Sequence, residues 1–146
     1  MIEPARTADL SKLANPMRER APRWTEAVAR STGVRPKIIE TLRTPNRQDW
    51  LYGSGRPLFP VYGRIGPILT HVQGANPKAM HVSGKAFDWL WERPMDLVAP
   101  EDYGAWVWSM DRPWIEAGSI GLALGMTYIP ATGSSFPDFG HLQWDH

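Results

Sequence analysis

Apolar residues recur at helical spacing near the start of the chain, over residues 9–31. One face of this region carries Trp24, Ala27, Val28 and Ser31. Asn15 followed by Pro16 is typical of a helix start, and Gly33 is typical of a helix end. Pro22 lacks a backbone donor, so we expect it to break the region into two short helices.

Short elements separated by loops are predicted after this region. Residues 37–42 (KIIETL) favour a short strand. The segment TPNRQDWLYGSG favours a short helix, capped by Thr44 and ended by Gly53 or Gly55. A loop rich in proline and glycine follows, and residues 68–72 favour another short strand.

An aromatic strand is predicted at residues 85–91 (KAFDWLW). Alternation places Ala86, Asp88 and Leu90 on one face, and Phe87, Trp89 and Trp91 on the other. A second helix is expected over residues 101–118, interrupted by Pro113, with short strands and loops after Gly118. We therefore predict one α+β domain over residues 1–146, with helices packed against one side of a small antiparallel sheet.

Composition narrows the chemistry that this domain can support. The chain has 146 residues and no cysteine, so a transition metal would need His, Asp or Glu ligands. The net charge is +1 without a Lys/Arg block, so no nucleic-acid partner is indicated. No apolar stretch has the length of a signal peptide or a membrane span, so we expect a cytoplasmic protein without membrane insertion.

Two short clusters carry candidate metal ligands. In the first, a turn at Gly84 lets the chain leave His81 and enter the strand that presents Asp88. In the second, Asp138 precedes His141 in a turn that leads to a last short strand. Each cluster alone is compatible with ordinary packing or turn residues.

Taken together, the clusters match the needs of a catalytic zinc site. Such a site uses three protein ligands, an open position for water and a nearby base that is not a ligand. We predict that His81, Asp88 and His141 bind one zinc ion and that Asp138 is the base. Two imidazoles and a carboxylate suit zinc, although other first-row ions would also bind them.

The combined pattern resembles a known family. H-x-x-G-x-A-x-D followed by D-x-x-H is similar to the VanY-type D-Ala-D-Ala carboxypeptidase and L-alanyl-D-glutamate endopeptidase family, of the hedgehog/D-Ala-D-Ala peptidase superfamily. The segments RTPNRQ (residues 43–48) and LYGSGR (residues 51–56) resemble further motifs of this family. The likeness spans residues 35–146 in the family's order.

The resemblance implies a role for each matching position. It makes His81, Asp88 and His141 the zinc ligands and Asp138 the general base. Arg43 matches an arginine that steadies the substrate or the oxyanion, which suits a guanidinium facing developing negative charge. Gln48 and Arg56 are candidates for substrate contacts, with ordinary packing or turn hydrogen bonding as the alternative. His71 and His146 match no family role.

Two departures from the family pattern leave the ligands and the base intact. Ala79 stands where the family usually has serine, which removes a candidate hydrogen bond near the first ligand. Gly140 stands where proline is commoner before the last histidine.

The implied activity is hydrolysis of the peptidoglycan stem peptide. Asp138 rather than glutamate as the base favours an L-alanyl-D-glutamate endopeptidase, in the manner of a phage or prophage endolysin that waits in the cytoplasm for holin-dependent release. A phage-particle enzyme is also compatible with the sequence. The alternatives are a D-Ala-D-Ala carboxypeptidase or dipeptidase, and a zinc-containing cell-wall-binding module without catalysis. We expect a monomer.

Overall fold

The computed structural model of the chain describes residues 2–128 and 139–145. Within these residues the helices are α1 (Met17–Thr32), α2 (Pro45–Tyr52), α3 (Tyr103–Val107) and α4 (Trp114–Ala123). The strands are β1 (Pro36–Glu40), β2 (Ala86–Trp91) and β3 (His141–Gln143). Short 3-10 helices lie at Leu10–Lys12 and Pro100–Asp102.

The strands form one antiparallel sheet in the order β1-β2-β3, with β2 in the centre. Asp88 of β2 lies opposite Glu40 on one side and opposite His141 on the other. Three polar side chains are thus brought to one level of the sheet. The mixture of helices with a small antiparallel sheet confirms the predicted α+β class.

The two faces of β2 have the predicted division. The aromatic face, formed by Phe87, Trp89 and Trp91, is buried in the hydrophobic core. Trp89 meets Trp24 of α1 edge to face, with ring centroids 4.8 Å apart. Asp88 and Leu90, on the other face, line a cavity. The core therefore anchors the strand while its opposite face stays available for chemistry.

Helix α1 runs without a break through Pro22, so the prediction of two short helices is wrong. Pro22 is exposed, whereas the opposite face is fully buried through Met17, Ala21, Trp24 and Val28. A proline inside a helix costs about 3 kcal/mol, but each large apolar side chain buried contributes about 1.5–3 kcal/mol. The free energy gained by burying these side chains therefore outweighs the cost of Pro22, and the helix continues through it. The helix ends at Gly33 as predicted, in a left-handed conformation with φ of 75°.

Helix α2 confirms the prediction for residues 44–53. The Thr44 hydroxyl oxygen accepts a hydrogen bond from the backbone N–H of Arg47 at 3.2 Å, and Gly53 follows the last turn. The strand predicted at residues 68–72 is not formed. There the Gln48 side-chain amide donates to the Val72 carbonyl oxygen at 2.8 Å. This carbonyl is therefore bonded to a side chain of α2 instead of to the backbone of a neighbouring strand.

The region from residue 101 onward differs from the prediction. Instead of one interrupted helix ending near Gly118, α3 and α4 are separate helices, and α4 continues to Ala123. Gly118 lies inside α4, where the Tyr128 ring packs against its backbone and leaves no space for a side chain. A β-carbon at this position would lie 2.0 Å from Cδ2 of Tyr128. Within the described residues, no helix combines the length and the apolar character needed to cross a membrane.

Candidate metal centre

Three elements bring His81, Asp88 and His141 together. His81 lies in the turn before β2, Asp88 lies within β2, and His141 is the first residue of β3. Nε2 of His81 is 3.0 Å from Oδ1 of Asp88, and Nδ1 of His141 is 2.9 Å from the same oxygen. One nitrogen or oxygen from each residue lies within 4.8 Å of the others, so the three could hold a metal ion.

The ring of His81 is oriented by the backbone after β1. Its Nδ1 lies 2.9 Å from the carbonyl oxygen of Thr41, which can only accept a hydrogen bond. Nδ1 therefore carries the proton, and the lone pair of the neutral ring lies on Nε2, facing Asp88. An acceptor behind a histidine ligand fixes the ring and its tautomer in this way.

The ring of His141 is oriented by its neighbour on the strand. Nε2 of His141 lies 2.7 Å from Oε1 of Gln143, two residues further along β3. The Gln143 amide nitrogen donates to Oδ1 of Asp145 at 2.5 Å, which assigns Oε1 as the atom facing the histidine. The neutral His141 ring thus has its proton on Nε2 and its lone pair on Nδ1, again facing Asp88.

Asp88 is the shared partner of both rings, and its side chain is 23% exposed. Burial acts to raise the pKa of Asp88. When the rings carry protons on the nitrogens that face Asp88, the charge of His81 and the hydrogen bonds that both histidines donate oppose this and prevail, so the pKa of Asp88 lies well below its ordinary value. The carboxylate is therefore ionised and favours positive charge beside Oδ1. Protons on the two imidazoles, or a metal ion, can supply that charge.

The donor set fits a zinc ion. Ligand atoms around tetrahedral zinc with bonds of about 2.0–2.1 Å lie about 3.3 Å apart. The two distances between the histidine nitrogens and Asp88 Oδ1, 3.0 Å and 2.9 Å, are within a few tenths of an ångström of this value. The two histidine nitrogens lie within 4.8 Å of each other, so binding of one ion by all three residues requires adjustment of the histidine side chains. Two imidazole nitrogens and a carboxylate oxygen are also a ligand set that zinc accepts.

Arg43 supports Asp88 from behind within a buried ionic network. Its Nη2 donates to Oδ2 of Asp88 at 3.2 Å, and its Nε donates to Oε1 of Glu40 at 3.0 Å. Glu40 also accepts from Nε of Arg47, so one carboxylate joins two arginines. Arg43 therefore fixes the Asp88 carboxylate, and it lines the cavity beside it.

Gln48 and Arg56, the two candidates for substrate contacts, lie in different settings. Gln48 lines the cavity, accepts from Nη1 of Arg43 at 2.8 Å and donates to the backbone at Val72. Arg56 is not among the residues that line the cavity. Its guanidinium donates to the Tyr52 carbonyl oxygen and lies 3.8 Å from the centroid of the Tyr52 ring. The structure places Gln48 in the cavity beside the candidate ligands and does not place Arg56 there.

The cavity next to the candidate ligands has a volume of about 630 Å³. His71 and Trp108 also line it, although the sequence assigned neither a role. Asp138, the predicted base, and His146 lie outside the described residues.

Sequence reasoning missed Glu40, Thr41 and Gln143. Alternation along a strand could have indicated Gln143, because residues two apart share a face. Thr41 acts through its backbone carbonyl, which leaves no side-chain signal. Glu40 is recognised only when the pairing of β1 with β2 is known.

Comparison with protein-family models finds no match, and no curated protein matches the chain either. The family resemblance of the motifs therefore stays a prediction. The functional proposal depends on the geometry of the site and on the residues that support it.

Proposed function

We propose that this protein is a zinc-dependent peptidase that hydrolyses the peptide part of bacterial peptidoglycan. One observation carries the proposal: Nε2 of His81 and Nδ1 of His141 both lie within about 3 Å of Oδ1 of Asp88, at the wall of a cavity. This is a three-ligand set with adjacent space, the arrangement that distinguishes catalytic from closed structural zinc sites. When bound, zinc would polarise the scissile carbonyl and make water nucleophilic near neutral pH.

The surrounding residues supply orientation. The Thr41 carbonyl oxygen accepts from Nδ1 of His81, and the Gln143 side-chain oxygen accepts from Nε2 of His141. Arg43 donates to Oδ2 of Asp88. A site fixed in this way loses little free energy to rearrangement during the reaction. Arg43 is engaged with three partners, so we assign it first to positioning Asp88; its contact with an oxyanion is the role that the family resemblance adds.

The general base of the proposal is Asp138. Its carboxylate would accept the proton of the attacking water, and this role comes from the D-x-x-H motif that ends at His141. The same motifs support membership of the VanY-type family with its hedgehog-like fold. Asp138 in place of glutamate supports cleavage between L-Ala and D-Glu, in an endolysin held in the cytoplasm until release.

Digestion of purified peptidoglycan tests the proposal, with the products identified by mass spectrometry and His81→Ala as the control. New N-terminal D-Glu that depends on His81 is the expected result. Release of a terminal D-Ala alone would assign a carboxypeptidase instead. No His81-dependent product from several wall types would overturn the peptidase and favour a binding module.

The base assignment has its own test. We expect Asp138→Ala to retain one metal ion per chain and to lose most turnover, because it removes a proton acceptor and no ligand. His81→Ala should lose both. Full activity of Asp138→Ala would show that another group is the base.

A further inference from the structure

The cavity beside the metal centre carries an excess of positive charge. Among its described lining residues, four side chains are cationic and two are anionic. The cationic residues are Arg6, Arg43, Arg47 and Lys78, and the anionic residues are Glu40 and Asp88. The surplus of two positive charges exceeds the net charge of +1 of the whole chain. A cleft lined by one sign of charge concentrates ligands of the opposite sign.

Two of the four cations are already neutralised inside the protein. Arg43 donates to Glu40 and Asp88. Arg47 is 1% exposed and donates to Glu40, and also to Glu3 at 2.7 Å. Both guanidinium charges are therefore balanced by carboxylates, and breaking buried ion pairs is costly, so neither arginine contributes to the surplus positive charge.

Arg6 is placed at the cavity but is only weakly engaged. Its Nε is 3.9 Å from Oε2 of Glu40, beyond hydrogen-bond distance, and its side chain is 51% exposed. The backbone on either side is held. The Pro4 carbonyl accepts from Arg47 at 3.0 Å, and the Thr7 carbonyl accepts from the Thr41 N–H at 2.8 Å. The guanidinium is therefore presented from a fixed stretch of chain.

Lys78 is presented from a structured turn. Asn76 organises this turn, because its side-chain oxygen accepts from the Lys78 N–H at 2.9 Å and its carbonyl accepts from the Ala79 N–H at 2.9 Å. The Lys78 side chain is exposed and forms no ion pair within the part of the chain that the structure describes. Its ammonium group is thus available to an anion.

We propose that Arg6 and Lys78 form a carboxylate-binding subsite, which makes the cavity selective for an acidic peptide. This inference deepens the proposed function and rests on it for the identity of the peptide. In the stem peptide, D-Glu is linked through its side-chain carboxyl and keeps a free α-carboxylate next to the bond to L-Ala. Amidation of that group removes the charge. The subsite therefore distinguishes D-Glu from its α-carboxamide form.

Calorimetric titration of the wild-type chain measures this selectivity without turnover. The ligand is the tripeptide γ-D-glutamyl-L-lysyl-D-alanine, which the proposed cleavage would release, compared with the same tripeptide carrying an α-carboxamide on D-Glu. We expect the carboxamide to bind about tenfold more weakly, because it loses charge-assisted contacts. Arg6→Gln and Lys78→Gln should each weaken binding of the acid form about threefold and leave the carboxamide form unchanged, because the two contacts together account for the tenfold preference. Lys78→Arg should retain tight binding.

Matched controls remove an equal charge away from the cavity. Arg18→Gln on α1 and Lys37→Gln on β1 change exposed residues that do not line it, and both should bind like the wild type. Equal binding of the two peptides, no binding of either, or equal effects of control and cavity variants would overturn the inference. A parallel digest of the L-Ala-extended peptide separates the two claims. Selective binding without cleavage would overturn the peptidase alone, and cleavage without selectivity would overturn the subsite alone.

Discussion

The carbonyl oxygen of Thr41 lies 2.9 Å from Nδ1 of His81 and fixes which ring nitrogen faces Asp88. Thr41 is itself held by the N-terminal segment. Its hydroxyl donates to the carbonyl of Asp9 at 2.9 Å, and its backbone N–H donates to Thr7 at 2.8 Å. The chain before α1 therefore supports the candidate metal centre through one buried threonine.

Thr41→Val tests this support. The change removes the hydroxyl at nearly constant volume, so we expect a loss of about 1 kcal/mol in the free energy of unfolding and a metal affinity lowered about tenfold. Urea unfolding and competition with a chromophoric chelator measure the two quantities. Thr32→Val is the control, because Thr32 donates to the Val28 carbonyl at 2.8 Å on α1 and is not a cavity residue. Equal metal affinity of both variants would contradict the proposed support.

Metal removal should destabilise the wild type and leave His81→Ala unchanged. A ligand that binds only the folded state at a hundredfold excess over its Kd stabilises by about 2.7 kcal/mol. We expect a chelator to lower the Tm of the wild type by several degrees, roughly as this free energy requires. Metal analysis should give one ion per wild-type chain. An unchanged Tm, or the same metal content in His81→Ala, would exclude the assigned ligand set.

The buried ion pairs of Glu40 predict a large effect of its neutralisation. Its side chain is 4% exposed and accepts from both Arg43 and Arg47. Because Glu40→Gln leaves two buried guanidinium groups without their shared counter-ion, we expect a loss of about 3 kcal/mol in unfolding free energy. Glu26→Gln, at the exposed pair with Arg35, is the control and should change little. Similar stability of the two variants would show that the network contributes nothing.

The orientation of Asp88 and the start of α2 could be predicted from residues close in sequence. Asp88 was assigned correctly to the face opposite the aromatic core, because strand alternation depends only on the nearest neighbours in sequence. Thr44 was identified as a helix cap for the same reason: its partner lies three residues away.

Features that depend on distant contacts were not predictable in this way. Pro22 has the same helix-breaking chemistry wherever it stands, and only the burial of Trp24 and its neighbours outweighs it. Glu40 and Arg43 are three residues apart, so their ion pair is a local contact. The position of Glu40 opposite Asp88, in contrast, follows from the register of β1 on β2. Tertiary packing decided these cases against local propensity.

Gln143 should control metal affinity through His141. Gln143→Leu removes the acceptor at Nε2, so the tautomer with its lone pair on Nδ1 is no longer favoured. We expect metal affinity to fall about 10- to 100-fold with little change in fold. Gln143→Glu keeps an acceptor at the same position and should retain most of the affinity. Chelator competition measures both, and an affinity of Gln143→Leu equal to that of Gln143→Glu would show that the tautomer is fixed by another group.

Gly118 should tolerate no side chain, although it lies in a helix where alanine is normally favoured. An added β-carbon would lie 2.0 Å from Cδ2 and 2.1 Å from Cε2 of Tyr128, a fully buried ring that cannot move aside freely. We expect Gly118→Ala to lower the free energy of unfolding by about 3 kcal/mol through overpacking. Gly104→Ala in α3 is the matched control. Its β-carbon would meet nothing within 4 Å, so the change should stabilise by about 0.5–1 kcal/mol. Urea denaturation of both variants decides the matter, because stabilisation by Gly118→Ala would show that Tyr128 does not pack on α4 as described.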